Sequence, residues 1–385
     1  MSIHRPPPLS VYVHLPWCVR KCPYCDFNSH ELRGEAPFAA YVDALLADLD
    51  DELPRVAGRR VTTVFFGGGT PSLCPAAELA RFLAGLADRL VLEPGAEVTL
   101  EANPGALDSG RFAAFAAAGV NRISLGVQSF QPRLLAAIGR IHDDRQAWEA
   151  VAEIAAAGIE NFNVDLMFGL PGQTVEDAVA DVESALATGA THLSHYQLTL
   201  EPGTPFHRHP PPLPHEDAAW AMQTAAAARL AAAGLHRYEV SAWARPGREA
   251  RHNLNYWRFG DYLGLGAGAH GKISSGGQIL RRWKRRRPAG YLSGEVRLEG
   301  ERRLDESERL FEFMLNALRL SAGFDRALLE ARTGLPLEAA RPALDRALAR
   351  GLLEPAGCEA WRPTALGFRF LNDLQGYFLP EAAPA

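Results

Sequence analysis

Strand-like and helix-like segments alternate along most of this chain, and the alternation limits the folds open to it. Residues 10–15, 61–66, 97–102, 122–127, 161–168 and 192–200 are short apolar runs of strand character. Between them, residues 38–53, 75–90, an alanine-rich stretch ending near Gly119, 145–157 and 175–187 carry apolar residues at helical spacing. Strand followed by helix every thirty to forty residues or so indicates parallel βαβ units. A helix running to Ala233 and a strand near 237–242 bring the total to about six or seven units, short of the eight that close a barrel. The expected fold is α/β, an open or partial (β/α) barrel over residues 1–300.

From about Leu304 the texture changes to helices without intervening strands, at 306–317, 326–331 and 336–350. A hairpin at 352–364 and a closing helix at 366–374 follow, so residues 301–385 are expected to form a small α+β module of winged-helix type. That module lacks a basic recognition helix, which argues against nucleic acid as its partner. A lid or docking role is expected instead.

At 385 residues with 47% hydrophobic and 22% charged residues, the chain can bury a large core and a smaller one. Its net charge of -5 does not suit a dedicated nucleic-acid binder. No apolar run is long enough to span a bilayer, and the first residues lack an apolar signal core. A cytoplasmic location is expected, where thiols stay reduced.

Three of the five cysteines, Cys18, Cys22 and Cys25, fall within eight residues. At this spacing one loop can give a thiolate to each of three irons of a [4Fe-4S] cluster. Such a cluster normally takes four cysteines, and the missing ligand suggests an exogenous chelator at the fourth iron. The amine and carboxylate of S-adenosylmethionine would serve. Zinc with His14 or His30 as the fourth ligand and a disulfide are the alternatives. Cys74 and Cys358 stand alone and read as buried or incidental thiols.

The ends of the strand-like segments carry further candidates. Gly68, Gly69 and Thr70 form a turn that would let backbone approach a ligand closely. Glu101, Gln128 and Asp165 stand at or near strand ends, with Arg140 beyond the fourth. Together they offer acceptors for an amine and ribose hydroxyls and a cation for a carboxylate. The glycine-rich run 263–271 has no strand feeding a long helix, as a dinucleotide site would need, and is read as backbone packed close to the cofactor pocket. The basic run 281–287 reads as a solvated face with the charge to attract porphyrin carboxylates or an acidic partner.

The loop Cys18, Cys22, Cys25 resembles the CxxxCxxC loop of the radical SAM superfamily. With its flanks it is similar to the oxygen-independent coproporphyrinogen III oxidase family, in its heme chaperone branch. The resemblance runs from Val11 to about Leu374. It implies a [4Fe-4S] cluster on the three cysteines and S-adenosylmethionine contacts at Tyr12, Tyr24, Gly68, Gly69, Thr70, Glu101, Gln128, Arg140 and Asp165. The stretch His252-Asn-Leu-Asn-Tyr-Trp257 matches the branch's HNxxYW motif. It implies heme binding, with His252 as axial donor and Tyr256 and Trp257 as flat apolar cover.

The decarboxylating members have a cysteine where this chain has Phe27, and they carry an N-terminal extension before the first strand. The resemblance therefore favours a heme chaperone that passes heme to an acceptor protein over a decarboxylase of porphyrinogen propionates. It leaves peripheral membrane association and homodimer formation open.

Overall fold

The computed structural model describes residues 6–105, 110–294 and 296–380; the outermost residues of both expected domains, 1–5 and 381–385, lie outside that range. Six strands run in parallel and pair in chain order: β1 Leu9–Leu15, β2 Arg60–Gly68, β3 Val91–Ala102, β4 Arg122–Gln128, β5 Phe162–Phe168 and β6 His192–Gln197. Most of their residues are buried, β4 throughout, as expected for strands covered on both faces. Helices Phe38–Val56, Ala76–Ala87, Arg111–Ala117, Asp144–Ala156 and Val175–Ala187 make the crossovers. The last starts where the sequence predicts, because Thr174 and Asp177 form a reciprocal capping box.

Past β6 the expected pattern breaks. The seventh strand-like segment splits into β7 His236–Glu239 and β8 Ala242–Ala244, and β8 pairs antiparallel with β6. On the other edge, β9 Asp261–Leu265 lies parallel to β1, followed by antiparallel β10 His270–Ser275, β11 Gln278–Lys284 and β12 Leu298–Arg303. The result is one sheet of twelve strands with β12 and β7 at its edges, an open barrel.

The basic run is not a solvated face. Arg282 and Lys284 are buried on β11. Lys284 pairs with Asp48 and Glu52 on the first helix, and Arg282 pairs with Glu52 at 3.2 Å. Charges this deep persist only when paired, and helix 38–56 supplies the partners. Of the run, only Arg285, Arg286 and Arg287 are exposed.

The largest apolar core lies between the six parallel strands and their helices. A second core gathers Leu304, Phe313, Phe324, Leu344 and Trp361 together with Phe259 and Ile279 from the barrel portion. Around it stand helices Glu306–Ala317, Arg326–Thr333 and Arg341–Ala349 and a small sheet in which Phe324–Asp325, Ala360–Pro363 and Leu353–Gly357 lie side by side. The single closing helix expected from the sequence is two short ones, Ala365–Arg369 and Leu371–Gly376. No helix among the described residues is long and apolar enough to cross a membrane.

Candidate functional site

The cysteine segment leaves β1 at Leu15 and closes on itself. Trp17–Cys18 pairs with His30–Glu31, the His30 amide donates to Pro16 O at 2.7 Å, and the Leu32 amide donates to Cys18 O at 2.9 Å. Lys21 Nζ donates to the carbonyls of Phe27 and Ser29. All five cysteines are free thiols, Cys74 buried and Cys358 exposed. Burial pushes the Cys18 and Cys25 thiols up. Holding them as thiolates therefore needs a positive partner. No three His, Cys, Asp or Glu side chains among the described residues converge on one metal ion.

The glycine turn after β2 packs on this loop. Gly68 has φ +121, a conformation that favours glycine, and its amide donates to Glu101 Oε2 at 3.1 Å. Gly69 lies against the loop: its amide donates to Leu15 O at 2.8 Å, and a β-carbon on it would sit 2.5 Å from Trp17 O. The Thr70 amide donates to Trp17 O at 2.7 Å.

Beyond the turn opens a cavity of about 420 Å³ lined by all three cluster-candidate cysteines. Its walls also carry Tyr24, Gly68, Gly69, Thr70, Glu101, Gln128, Arg140 and Asp165, so eight of the nine expected S-adenosylmethionine contacts meet in one place. The ninth, Tyr12, lines the neighbouring cavity, its hydroxyl 3.0 Å from His14 Nδ1. These positions lie toward the C-terminal side of the strands, where barrels of this kind keep their chemistry.

Arg140 points into the cavity from the loop after Pro132–Ala137, with Nη2 donating to Asn103 Oδ1 and Gly126 O at 2.7 Å each and Nη1 3.7 Å from Cys22 Sγ. Asn103 in turn donates to Thr70 Oγ1 at 3.0 Å. Gln128 holds φ +70, rare for a residue with a side chain, and its Oε1 accepts from the Tyr196 hydroxyl at 2.6 Å. Burial, and behind it the charge of Asp165, pushes Glu101 up to about 8. Asp165 is also pushed up by burial, against the pull of hydrogen bonds from Ser194, Asn163 and Ser124. Two half-buried carboxyls thus face one cavity, each shifted toward its neutral form. The sequence reading missed Asn103, Ser124 and Tyr196; for Asn103, its place directly after β3 was the available signal.

A second, larger cavity of about 890 Å³ adjoins the first, and Phe27, Gly68 and Glu101 line both. Tyr256 and Trp257 of the HNxxYW stretch stand on its wall with Tyr262 and Trp283. Phe27 is 60% exposed at the junction. The glycine-rich run is tied to the cysteine loop here, since Asn28 Nδ2 donates to Ala267 O at 2.9 Å and Arg286 O at 2.8 Å.

His252, expected as the axial heme donor, lies inside the protein. It lies on a helix, Arg251–Trp257, is 1% exposed, and is absent from the wall of either cavity. Thr63 donates to Ser10 Oγ at 2.8 Å, so the proton between His252 Nδ1 and Thr63 Oγ1 (2.7 Å) belongs to the imidazole. Nε2 then accepts from the Tyr256 hydroxyl at 2.9 Å. Both ring nitrogens are spent within the protein, and burial pushes the group down to about 3. Asn255 joins the same latch, donating to Ser10 Oγ at 2.8 Å and Asp261 O at 2.9 Å.

Comparison with known proteins assigns the family. The sequence model of the radical SAM superfamily matches residues 12–185, and that of the HemN C-terminal domain matches residues 304–370. The heme chaperone HemW of Escherichia coli is 48% identical over 376 residues, covering 97% of this chain and 99% of that protein. The chain belongs to the HemW family. Another HemW relative, the heme chaperone of Haemophilus influenzae, is 43% identical with coverage of 97% and 99%. The HemW-type fold extends to the solved coproporphyrinogen III oxidase (HemN) of Escherichia coli, a radical SAM enzyme, with a TM-score of 0.82 and 21% identity over 98% of this chain and 91% of that one.

Proposed function

We propose that this chain is a heme chaperone that binds heme and hands it to an acceptor protein. In this reading Cys18, Cys22 and Cys25 hold a [4Fe-4S] cluster, and S-adenosylmethionine lies against Gly68, Gly69, Thr70, Glu101, Gln128, Arg140 and Asp165, flanked by Tyr24 and Tyr12. The observation that carries it is the pair of abutting cavities, one beside the cysteines and one large, aromatic and edged by cations.

The residues present fit both groups. The three thiols line a single cavity yet do not converge on one ion, as zinc would require. The close approach of Gly69 keeps space beside Cys18 that a β-carbon would take. Arg140 offers a guanidinium to a carboxylate, while Glu101 and Asp165 offer acceptors to an amine and hydroxyls. When bound, a cluster of this kind supplies an electron to S-adenosylmethionine. The protein's own part is to bind, orient and exclude water. The larger cavity lies within the size range of small-molecule sites, and Tyr256, Trp257 and Trp283 give it flat apolar surface for a macrocycle.

The second reading, a coproporphyrinogen III oxidase, draws on the shared HemN fold. Phe27 stands against it, because the resemblance implies a cysteine at that place in the decarboxylating members. To separate the two, the chain would be reconstituted anaerobically with iron and sulfide, reduced, supplied with S-adenosylmethionine, and assayed in parallel for hemin binding and for coproporphyrinogen decarboxylation. Saturable binding near one heme per chain without decarboxylation is expected. Turnover to protoporphyrinogen, or no hemin binding, would overturn the proposal.

A further inference from the structure

Six basic side chains stand on the wall of the larger cavity: His14, Lys272, Arg281, Lys284, His270 and Arg286. Four are already committed. His14 bonds Tyr12 through Nδ1 and Asn28 O through Nε2. Lys272 is buried among Asp261, Ser274 and the Phe259 carbonyl. Arg281 is held by Glu312 and Tyr262, and Lys284 by Asp48 and Glu52. Neither His270 nor Arg286 uses its side chain in a hydrogen bond or ion pair among the described residues, and both are exposed.

We infer that His270 is the residue that ligates heme iron, and that Arg286 receives a heme propionate. The inference rests on the heme reading above and deepens it by moving the axial ligand from His252 to a different strand. His270 opens β10 directly opposite Trp283 on β11, with the two rings 6.4 Å apart and inclined by 23°. On the same face follow Lys272 and Arg281, also cross-strand partners, so one flat side of the hairpin forms this wall of the cavity. An imidazole on that face has the donor atom for iron, and the near-parallel Trp283 indole beside it holds the orientation of the imidazole plane.

The ligating form of histidine is neutral. Partial desolvation against the cavity wall, and then the cations Arg281 and Arg286, hold His270 below its usual range, while Glu299 opposes them. Arg286 is within a strand's end of His270: the Gly268 amide bonds Arg285 O at 2.9 Å and the Lys284 amide bonds Ala269 O at 2.9 Å, which keeps the two segments in step. A guanidinium free of protein carboxylates can meet a propionate in bidentate fashion. His252, with both nitrogens engaged, would have to break the Thr63 or Tyr256 bond to reach any iron.

The experiment is hemin titration of the cluster-reconstituted full chain, followed by Soret absorbance and low-temperature EPR. His270→Ala is expected to weaken binding by roughly tenfold or more and to convert the spectrum to that of a heme lacking the imidazole, with added free imidazole restoring the original bands. Arg286→Ala is expected to weaken binding while leaving the spectrum unchanged. Because the His270 side chain makes no bond within the protein, the thermal midpoint of His270→Ala should stay near that of the parent, and His270→Gln serves as a second, polar replacement. If the parent chain binds no hemin, the heme-chaperone reading fails. If the parent binds and both His270 variants keep its spectrum and affinity, only the ligand assignment is overturned.

Discussion

Gly69 lies so close to Cys18 that a β-carbon on it would sit 3.0 Å from Cys18 Sγ and 2.5 Å from Trp17 O. The backbone oxygen cannot give way cheaply, because Trp17 O also accepts the Thr70 amide at 2.7 Å. Gly69→Ala should therefore displace the cysteine loop and lower the iron retained after anaerobic reconstitution. Gly376→Ala, at a helical position with open space around it, is the control and should be neutral or slightly stabilising. Full iron occupancy in Gly69→Ala would show that the contact does not shape the loop.

Glu101 and Asp165 face the same cavity, each half-buried and each held above its ordinary range. A charged hydrogen bond contributes about 1.5 to 3 kcal/mol, so Asp165→Asn and Glu101→Gln should each weaken S-adenosylmethionine binding by roughly ten- to a hundredfold. Calorimetry of the cluster-loaded chain measures this. Affinity unchanged in both variants would remove the ligand from that wall.

The latch around His252 makes stability sensitive to acid. Folding depresses the group from an unfolded value near 6.5 to about 3, so its stabilising contribution is whole above pH 6.5 and is lost as pH falls toward 3. At pH 5 the loss from this residue is about 2 kcal/mol. His195 and His142, each pushed to about 4 by burial, act in the same direction. Urea unfolding of the parent and His252→Gln at pH 7 and pH 5 should show the gap between them shrinking by about that 2 kcal/mol. A gap independent of pH would mean His252 is not held neutral.

The parallel part of the fold was legible because its signals are local. Strands buried on both faces read as continuous apolar runs, and Thr174 with Asp177 announces its own helix start. The second half of the sheet was not, because its cause lies far away in sequence. Lys284 and Arg282 look solvated until Asp48 and Glu52, more than 200 residues earlier, are brought against them. The same distance hid the fate of His252, whose partner Thr63 is 189 residues away. Glu101, Gln128 and Asp165 could be picked out because they stand at or near strand ends of an ordered sheet. Asn103, which bridges Arg140 and Thr70, looked like an ordinary turn residue. His270 sat inside a glycine-rich run whose hairpin geometry no local periodicity announces.

The amide of Asn28 grips the carbonyls of Ala267 and Arg286 from within the cysteine loop. That one side chain makes the loop a lever on the larger cavity. Any rearrangement of the loop that shifts Asn28 must drag the backbone at Arg286 with it or break two hydrogen bonds. Cysteine loop and cavity wall are thereby joined through a single amide, 239 and 258 residues along the chain from its two acceptors.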